Sequence, residues 1–137
     1  MAQYWILKTE PTSYAYADLE RDRATRWDGV TNRQALNHIR SMQKGDRVLI
    51  YHTGKEKAVV GEATVTTAPY DDPHAVVAGL AVVDLAPAGA LPSPVPLSSI
   101  KADRHFADMA LVRQGRLSVV PATRAQWERI RKMGGVE

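Results

Sequence analysis

The run Val48-Leu49-Ile50-Tyr51, introduced by Asp46 and Arg47 and followed by His52 and Thr53, is apolar on both faces of any strand it forms. Such a strand needs cover on each side, so it reads as a central strand of a barrel or a covered sheet. The polar residues 53–57, with Gly54 among them, then predict a hairpin loop, and residues 58–65 return as a second strand. Gly61 interrupts that strand and marks a bulge or a tight corner.

The flanking segments supply the remaining layers. Tyr4 to Leu7 is a short aromatic and apolar run stopped by Pro11, which predicts a first strand over residues 3–8 with Lys8 and Thr9 at its open end. Residues 80–85 predict another strand. The segment 86–96 carries prolines at 87, 92, 94 and 96 and is expected to be an extended connection that cannot pair as a central strand. A late strand is expected over residues 116–120, closed by Pro121. Helical spacing marks residues 13–20 and the set Ala35, Leu36, Ile39 and Met42, which should stop before Gly45. Ser98 or Ser99 can cap a short turn carrying Ile100, and Phe106, Met109 and Ala110 suggest a further short helix. Thr123 and Gln126 have capping-box spacing for a terminal helix that buries Trp127, Ile130 and Met133 and ends at Gly134-Gly135. Residues 21–26 and 69–74 read as loops. At 137 residues this pattern implies one α+β domain over residues 1–137, a small mixed barrel.

Composition narrows the function classes. The chain has no cysteine, so disulfides, thiolate metal sites and cysteine nucleophiles are excluded. Its apolar runs are far shorter than the roughly 20 residues of a membrane span, and its first residues lack a secretory pattern. A cytoplasmic protein with no membrane partner is expected. The formal charge is +3, and the cations Arg21, Arg23, Arg26, Arg33, Arg40, Lys44, Arg47, Lys55 and Lys57 all fall in the first half. If they share a face, that face attracts phosphates.

The same half holds the residues best suited to a ligand. Trp27-Asp28-Gly29-Val30 places a flat ring, a carboxylate and a turn just before a helix. That is the material of a base or small-molecule pocket, and equally of a core tryptophan beside a turn. Asn32 stands at the helix start, where its side chain caps backbone amides or meets a ligand. Bases held out of a stack lie on aromatic rings while donors and acceptors read their edges. Trp27 would stack, Asp28, Thr9 and Asn32 would read the edge, and Arg26, Arg33 and Arg47 would hold phosphates. Trp5 and Trp127 fall on apolar faces and read as core. No catalytic motif, cofactor motif or glycine-rich phosphate loop is present, and the four histidines lack paired ligand spacing. Asp71, Asp72 and His74 are the one dense group of metal-ligand types, and they read as a polar loop.

Several motifs, taken in order, resemble the EVE domain family. They are Tyr4-Trp5-Ile6-Leu7-Lys8-Thr9-Glu10-Pro11, Trp27-Asp28-Gly29-Val30, Gly45 to Thr53, Val60-Gly61-Glu62-Ala63, and Arg116 to Pro121 with Trp127. The resemblance implies a PUA-like mixed β pseudo-barrel of about five to six strands with short flanking helices, related to the YTH readers of methylated adenosine. It also implies a pocket for a modified base in DNA or RNA. Carried over residue by residue, Lys8 and Thr9 stand at the family's Lys-Ser pair. Trp27, Asp28, Gly29 and Val30 form its Trp-acid-Gly-Val motif, and Asn32 keeps the asparagine that follows. Tyr51, His52 and Thr53 match its Tyr-His-Ser. Thr31, Arg33 and Leu36 replace the family's usual Arg, Tyr and Arg, Leu80 stands where a Trp is common, and the 73–80 loop is shortened. The resulting expectation is a monomeric, non-enzymatic reader whose partner is a nucleic acid carrying a modified base. The alternatives are a nucleotide-processing hydrolase using Asp72 and His74, and a basic module for RNA or protein with a vestigial pocket.

Overall fold

In the computed structural model, which describes residues 2–136, the apolar run lies in strand β3 (Arg47–His52), and Val48 through His52 are all buried. Strand β1 (Tyr4–Thr9) lies parallel to it, from Tyr4 opposite Arg47 to Thr9 opposite His52. On the other side of β3, the hairpin partner β4 (Ala58–Val65) runs antiparallel. The ladder slips between Ile50 and Tyr51, because Val60 bulges where Gly61 interrupts the strand. Strand β3 thus has a strand along each edge and is buried over Val48–His52, a central strand as its apolar composition predicts.

Helix α1 (Tyr16–Asp22) follows β1, and the short strand β2 (Thr25–Trp27) follows α1. Residues 21–26 are therefore not a loop. A three-residue strand is too short to show a period of two; β2 exists because it pairs antiparallel with Val83–Leu85. Helix α2 (Arg33–Ser41) buries Ala35, Leu36 and Ile39, with Met42 buried just past its end. Beyond β4 come the two-residue strand β5 (Tyr70–Asp71), inside the expected 69–74 loop, and the long strand β6 (Ala81–Pro96).

Residues 86–96, expected to be an extended connection that cannot pair as a central strand, are the second half of strand β6. This half is a paired strand, but β4 is its one strand neighbour, so it is an edge and not a central strand. Strand β6 pairs with β4 over both of its halves, from Val65 opposite Leu85 to Ala58 opposite Pro96. Four prolines are tolerated for two physical reasons. Pro92 and Pro94 fall in the irregularity between Ala90 and Val95, where no ladder bond is asked of them. Pro87 and Pro96 lie where β6 has β4 as its one neighbouring strand, so a missing N–H on the open side breaks nothing.

Helices α3 (Leu97–Ala102) and α4 (Ala110–Arg113) flank a 3₁₀ turn at Arg104–Phe106, and strand β7 (Val119–Ala122) pairs antiparallel with β1 at the sheet edge. Pro121 is inside β7, on that edge, rather than closing it. Helix α5 (Arg124–Met133) starts with the expected capping box, Gln126 N donating to Thr123 Oγ1 and Thr123 N donating to Gln126 Oε1. Ile130 is buried, and Trp127 packs on Tyr4 at 4.8 Å between ring centroids. Met133 is exposed, and Val136, after the Gly134-Gly135 turn, packs against the core instead.

The strand order β2-β6-β4-β3-β1-β7, with β5 against β6, makes a mixed sheet that curls into a half-barrel, an α+β architecture. Among the described residues no helix is long and apolar enough to cross a membrane. Tyr16 ties α1 to the seam of this sheet. Its hydroxyl donates to Glu62 O (2.6 Å) and accepts from Gly89 N (3.0 Å), while its ring lies where a side chain at residue 61 would be. A Cβ on Gly61 would fall 2.4 Å from two ring carbons. Gly61→Ala is therefore expected to destabilise the chain by about 1–3 kcal/mol through overpacking, read as a lower urea midpoint at unchanged m-value; an unchanged midpoint would show that the ring has room to move.

Candidate nucleobase site

At the open end of β1 the sheet leaves a cavity of about 520 Å³, within the roughly 300–1,000 Å³ of small-molecule sites. Lys8 and Thr9 form one side of it. Trp27, Asp28, Gly29 and Val30 form another, with Thr25 and Arg26 leading into them. Ser13, Tyr14 and Ser118 complete the lining.

Local structure explains why these groups meet. Thr9 Oγ1 donates to Tyr14 O (2.7 Å), which closes the turn after β1 and brings the Tyr14 ring beside Trp27. The two rings are 6.3 Å apart at 83°, an edge-to-face pair. Trp27 is held by pairing with Val83 and is 8% exposed, so it is part core and part wall. Gly29 takes φ +76°, a conformation costly for any residue with a side chain, and so turns the chain from β2 towards α2. Asn32 then caps α2 by accepting from Ala35 N (3.0 Å).

The charges around the cavity differ in their freedom. The Asp28 carboxylate is exposed at the rim and has no ion-pair partner among the described residues. Arg26 Nε donates to the Tyr70 hydroxyl (3.2 Å), which in turn donates to Asp84 Oδ1 (2.5 Å), so the guanidinium is steered along the rim. The hydrogen bond to Asp84 raises the Tyr70 pKa. Burial raises that of Tyr14, whose hydroxyl donates to Asp22 Oδ2 (2.9 Å). Lys8 Nζ donates to Gly115 O (3.0 Å) and lies 5.5 Å from the centre of the Tyr51 ring. Burial, and secondarily the charge of Lys101, hold the Lys8 pKa below the usual lysine range.

The residues singled out in the sequence separate into distinct places. Lys8, Thr9, Arg26, Trp27, Asp28, Gly29 and Val30 come together on the large cavity. Tyr51 and Thr53 line a second cavity of about 220 Å³, which shares Lys8 with the first. His52 is buried with both ring nitrogens engaged, Nδ1 with Glu56 Oε1 (2.7 Å) and Nε2 accepting from Tyr16 N (2.9 Å). Asn32 sits on a shallow depression with Gln34 and Gln114, and Arg33 on an outer one with Arg40 and the 77–80 loop. Arg47 opens β3 beside Tyr4, about 13 Å along the strands from Lys8. Tyr14 and Ser118 carry no sequence signal for the cavity, since one enters by loop closure and the other because Lys8 N donates to Ser118 O (2.9 Å). The Asp71, Asp72 and His74 stretch is a local turn in which His74 N donates to Asp72 Oδ1 (2.9 Å), and among the described residues no group of three His, Asp or Glu side chains could hold a metal ion.

A family profile described as the EVE domain matches residues 3–133. The chain is 29% identical to thymocyte nuclear protein 1 of Gallus gallus over 159 residues, which takes in 91% of this chain and 66% of that protein. It therefore spans just under two thirds of the length of this curated relative. Its fold superimposes on the NMR structure of a Rhodopseudomonas palustris protein with a TM-score of 0.92 at 35% identity, covering 98% of this chain and 94% of that one. The human THYN1 protein, in complex with 5-methylcytosine-containing DNA, matches with a TM-score of 0.89 at 23% identity, covering 99% of each chain. These likenesses make the half-barrel a PUA-like fold.

Proposed function

The chain belongs to the EVE domain family, and from that premise we propose that it is a non-enzymatic module that takes a modified nucleobase of a nucleic-acid strand into the cavity walled by Trp27 and Tyr14. The observation that carries this reading is the composition of that cavity. Two aromatic rings stand across from a set of short polar groups, with a free carboxylate at the mouth and a steered guanidinium on the rim. A purine or pyrimidine asks for such a set: a π-face for stacking, hydrogen-bonding groups along one edge, and a cation for the adjoining phosphate. Thr9 gives its proton to Tyr14 O and so offers lone pairs to the ligand, while Asp28 accepts from an exocyclic amine. The human THYN1 protein is bound to 5-methylcytosine-containing DNA, which makes that base the first ligand to test here.

The test is fluorescence anisotropy with labelled oligonucleotides that differ only in one base: cytosine against 5-methylcytosine, and adenine against N6-methyladenine, each as single and double strands. One modified oligonucleotide is expected to bind more tightly than its unmodified twin. Asp28→Ala, at an exposed position that leaves the fold alone, is expected to weaken that binding by about tenfold or more through loss of a charge-assisted hydrogen bond. Equal binding to every oligonucleotide, weakened uniformly by salt, would instead mark a module that reads only the backbone.

A further inference from the structure

The second cavity gathers three lysines from three separate elements: Lys8 at the end of β1, Lys57 just before β4, and Lys101 on α3. Its floor is Tyr51, whose ring lies under the Lys8 ammonium. Lys8 uses one donor on Gly115 O and keeps two. Among the described residues none of the three lysines is within ion-pair distance of a carboxylate. Glu10, an acid close to this mouth, is turned to the Thr53 hydroxyl (3.1 Å) and lies against Gly54.

The backbone holds this arrangement at a cost. Lys57 has φ +45°, a left-handed conformation that a residue with a side chain rarely keeps unless its surroundings impose it. Leu97 N donates to Lys57 O (2.8 Å), which continues the β4–β6 ladder into the first residue of α3. Lys57 is thereby fixed beside the helix that carries Lys101. Burial, and after it the neighbouring charge of Lys101, disfavours the charged form of Lys8 in this cavity. A bound anion favours that form and gives each ammonium a partner.

We propose that this cavity is a phosphate-binding site formed by Lys8, Lys57 and Lys101. Because Lys8 lines both cavities, the phosphate it holds belongs to the nucleotide whose base enters the large cavity, or to its neighbour in the strand. That last step rests on the base-binding function proposed above; the anion site does not.

Two measurements on the whole chain separate these statements. In the first, backbone amide shifts are followed as inorganic phosphate replaces chloride at constant ionic strength. Saturable shifts centred on Tyr51, Lys57, Lys101 and Gly115, weakened about tenfold in Lys101→Gln and likewise in Lys57→Gln, support the site. Shifts that are unsaturable, scattered over the surface or unchanged in both variants overturn it. In the second, the preferred modified nucleoside, its 5′-monophosphate and a short strand are compared. A phosphate-dependent gain in affinity that disappears in Lys101→Gln supports the link between the cavities, and it identifies the source as the terminal phosphate if the monophosphate shows it or the phosphodiester if only the strand does. Nucleoside binding with no gain from either phosphate leaves base binding standing and overturns the link. Phosphate binding without any nucleoside binding keeps the anion site and removes the base reading.

Discussion

Trp27→Ala is expected to lower the stability of the chain by about 3–5 kcal/mol and to abolish modified-base binding in the molecules that remain folded. The indole is 8% exposed and meets Tyr14 edge-on, so truncation both opens a cavity in the core and strips a wall from the site. For a domain whose total stability is about 5–15 kcal/mol, that loss is about a fifth or more of the margin. Folding and binding therefore have to be read apart. Trp27→Phe keeps a ring in the wall and the pairing with Val83, so it is expected to fold while giving up part of the stacking energy, which is worth about 1–3 kcal/mol per base. Urea unfolding followed by circular dichroism reads the first effect, and anisotropy with the preferred oligonucleotide reads the second. A wild-type urea midpoint for Trp27→Ala would mean that the indole is not packed as described. Undiminished binding by folded Trp27→Phe would mean that its face does not meet the base.

The dual place of Trp27, core and wall at once, also shows what a sequence can and cannot reveal. Contiguous features are legible: an apolar four-residue run needs two-sided cover and becomes β3, Asn32 before an amphipathic stretch becomes a cap, and Thr123 with Gln126 becomes a capping box. Features decided by a distant partner are not. Strand β2 is three residues long and owes its existence to Val83–Leu85, and the proline-rich half of β6 is a strand because it pairs with β4 on either side of an irregularity in β6 that takes up Pro92 and Pro94.

The site divides in the same way. Lys8-Thr9 and Trp27 to Val30 reach the large cavity as two short continuous motifs. Tyr51-His52-Thr53 is just as continuous, yet successive strand residues point to opposite faces, so the three cannot share one wall. Tyr51 goes to the lysine cavity and His52 turns to the start of α1. Ser118 is brought in by the meeting of β1 and β7, strands more than a hundred residues apart in the chain. No local pattern announces such a meeting.

Asp46→Leu is expected to destabilise the fold by about 3–5 kcal/mol. In the sequence Asp46 only introduces the apolar run of β3, but the residue is 1% exposed and its carboxylate ties the start of β1 to the turn after α2. Oδ1 accepts from Gln3 N (2.9 Å), and Oδ2 accepts from Trp5 Nε1 (2.9 Å) and from Gln43 N (2.9 Å). Leucine fills the volume and leaves all three donors unpaired. Each orphaned buried donor costs about 1–3 kcal/mol. The two backbone amides are part-buried and recover some of this from water, whereas the indole N–H lies in a buried bond and recovers little. Asp46→Asn keeps one accepting oxygen but turns its amide NH2, a donor, towards the remaining donors, so its urea midpoint should fall between those of wild type and Asp46→Leu. The assignment can be checked by a double-mutant cycle with Trp5→Phe, which removes the indole donor. If the bond is as described, Asp46→Leu should cost less in that background, with a coupling of about 1 kcal/mol or more; strictly additive costs would break the assignment. Base affinity per folded molecule should be unchanged in Asp46→Leu, because the ladder from Tyr4–Arg47 to Thr9–His52 fixes the ligand end of β1 independently of the network at its start.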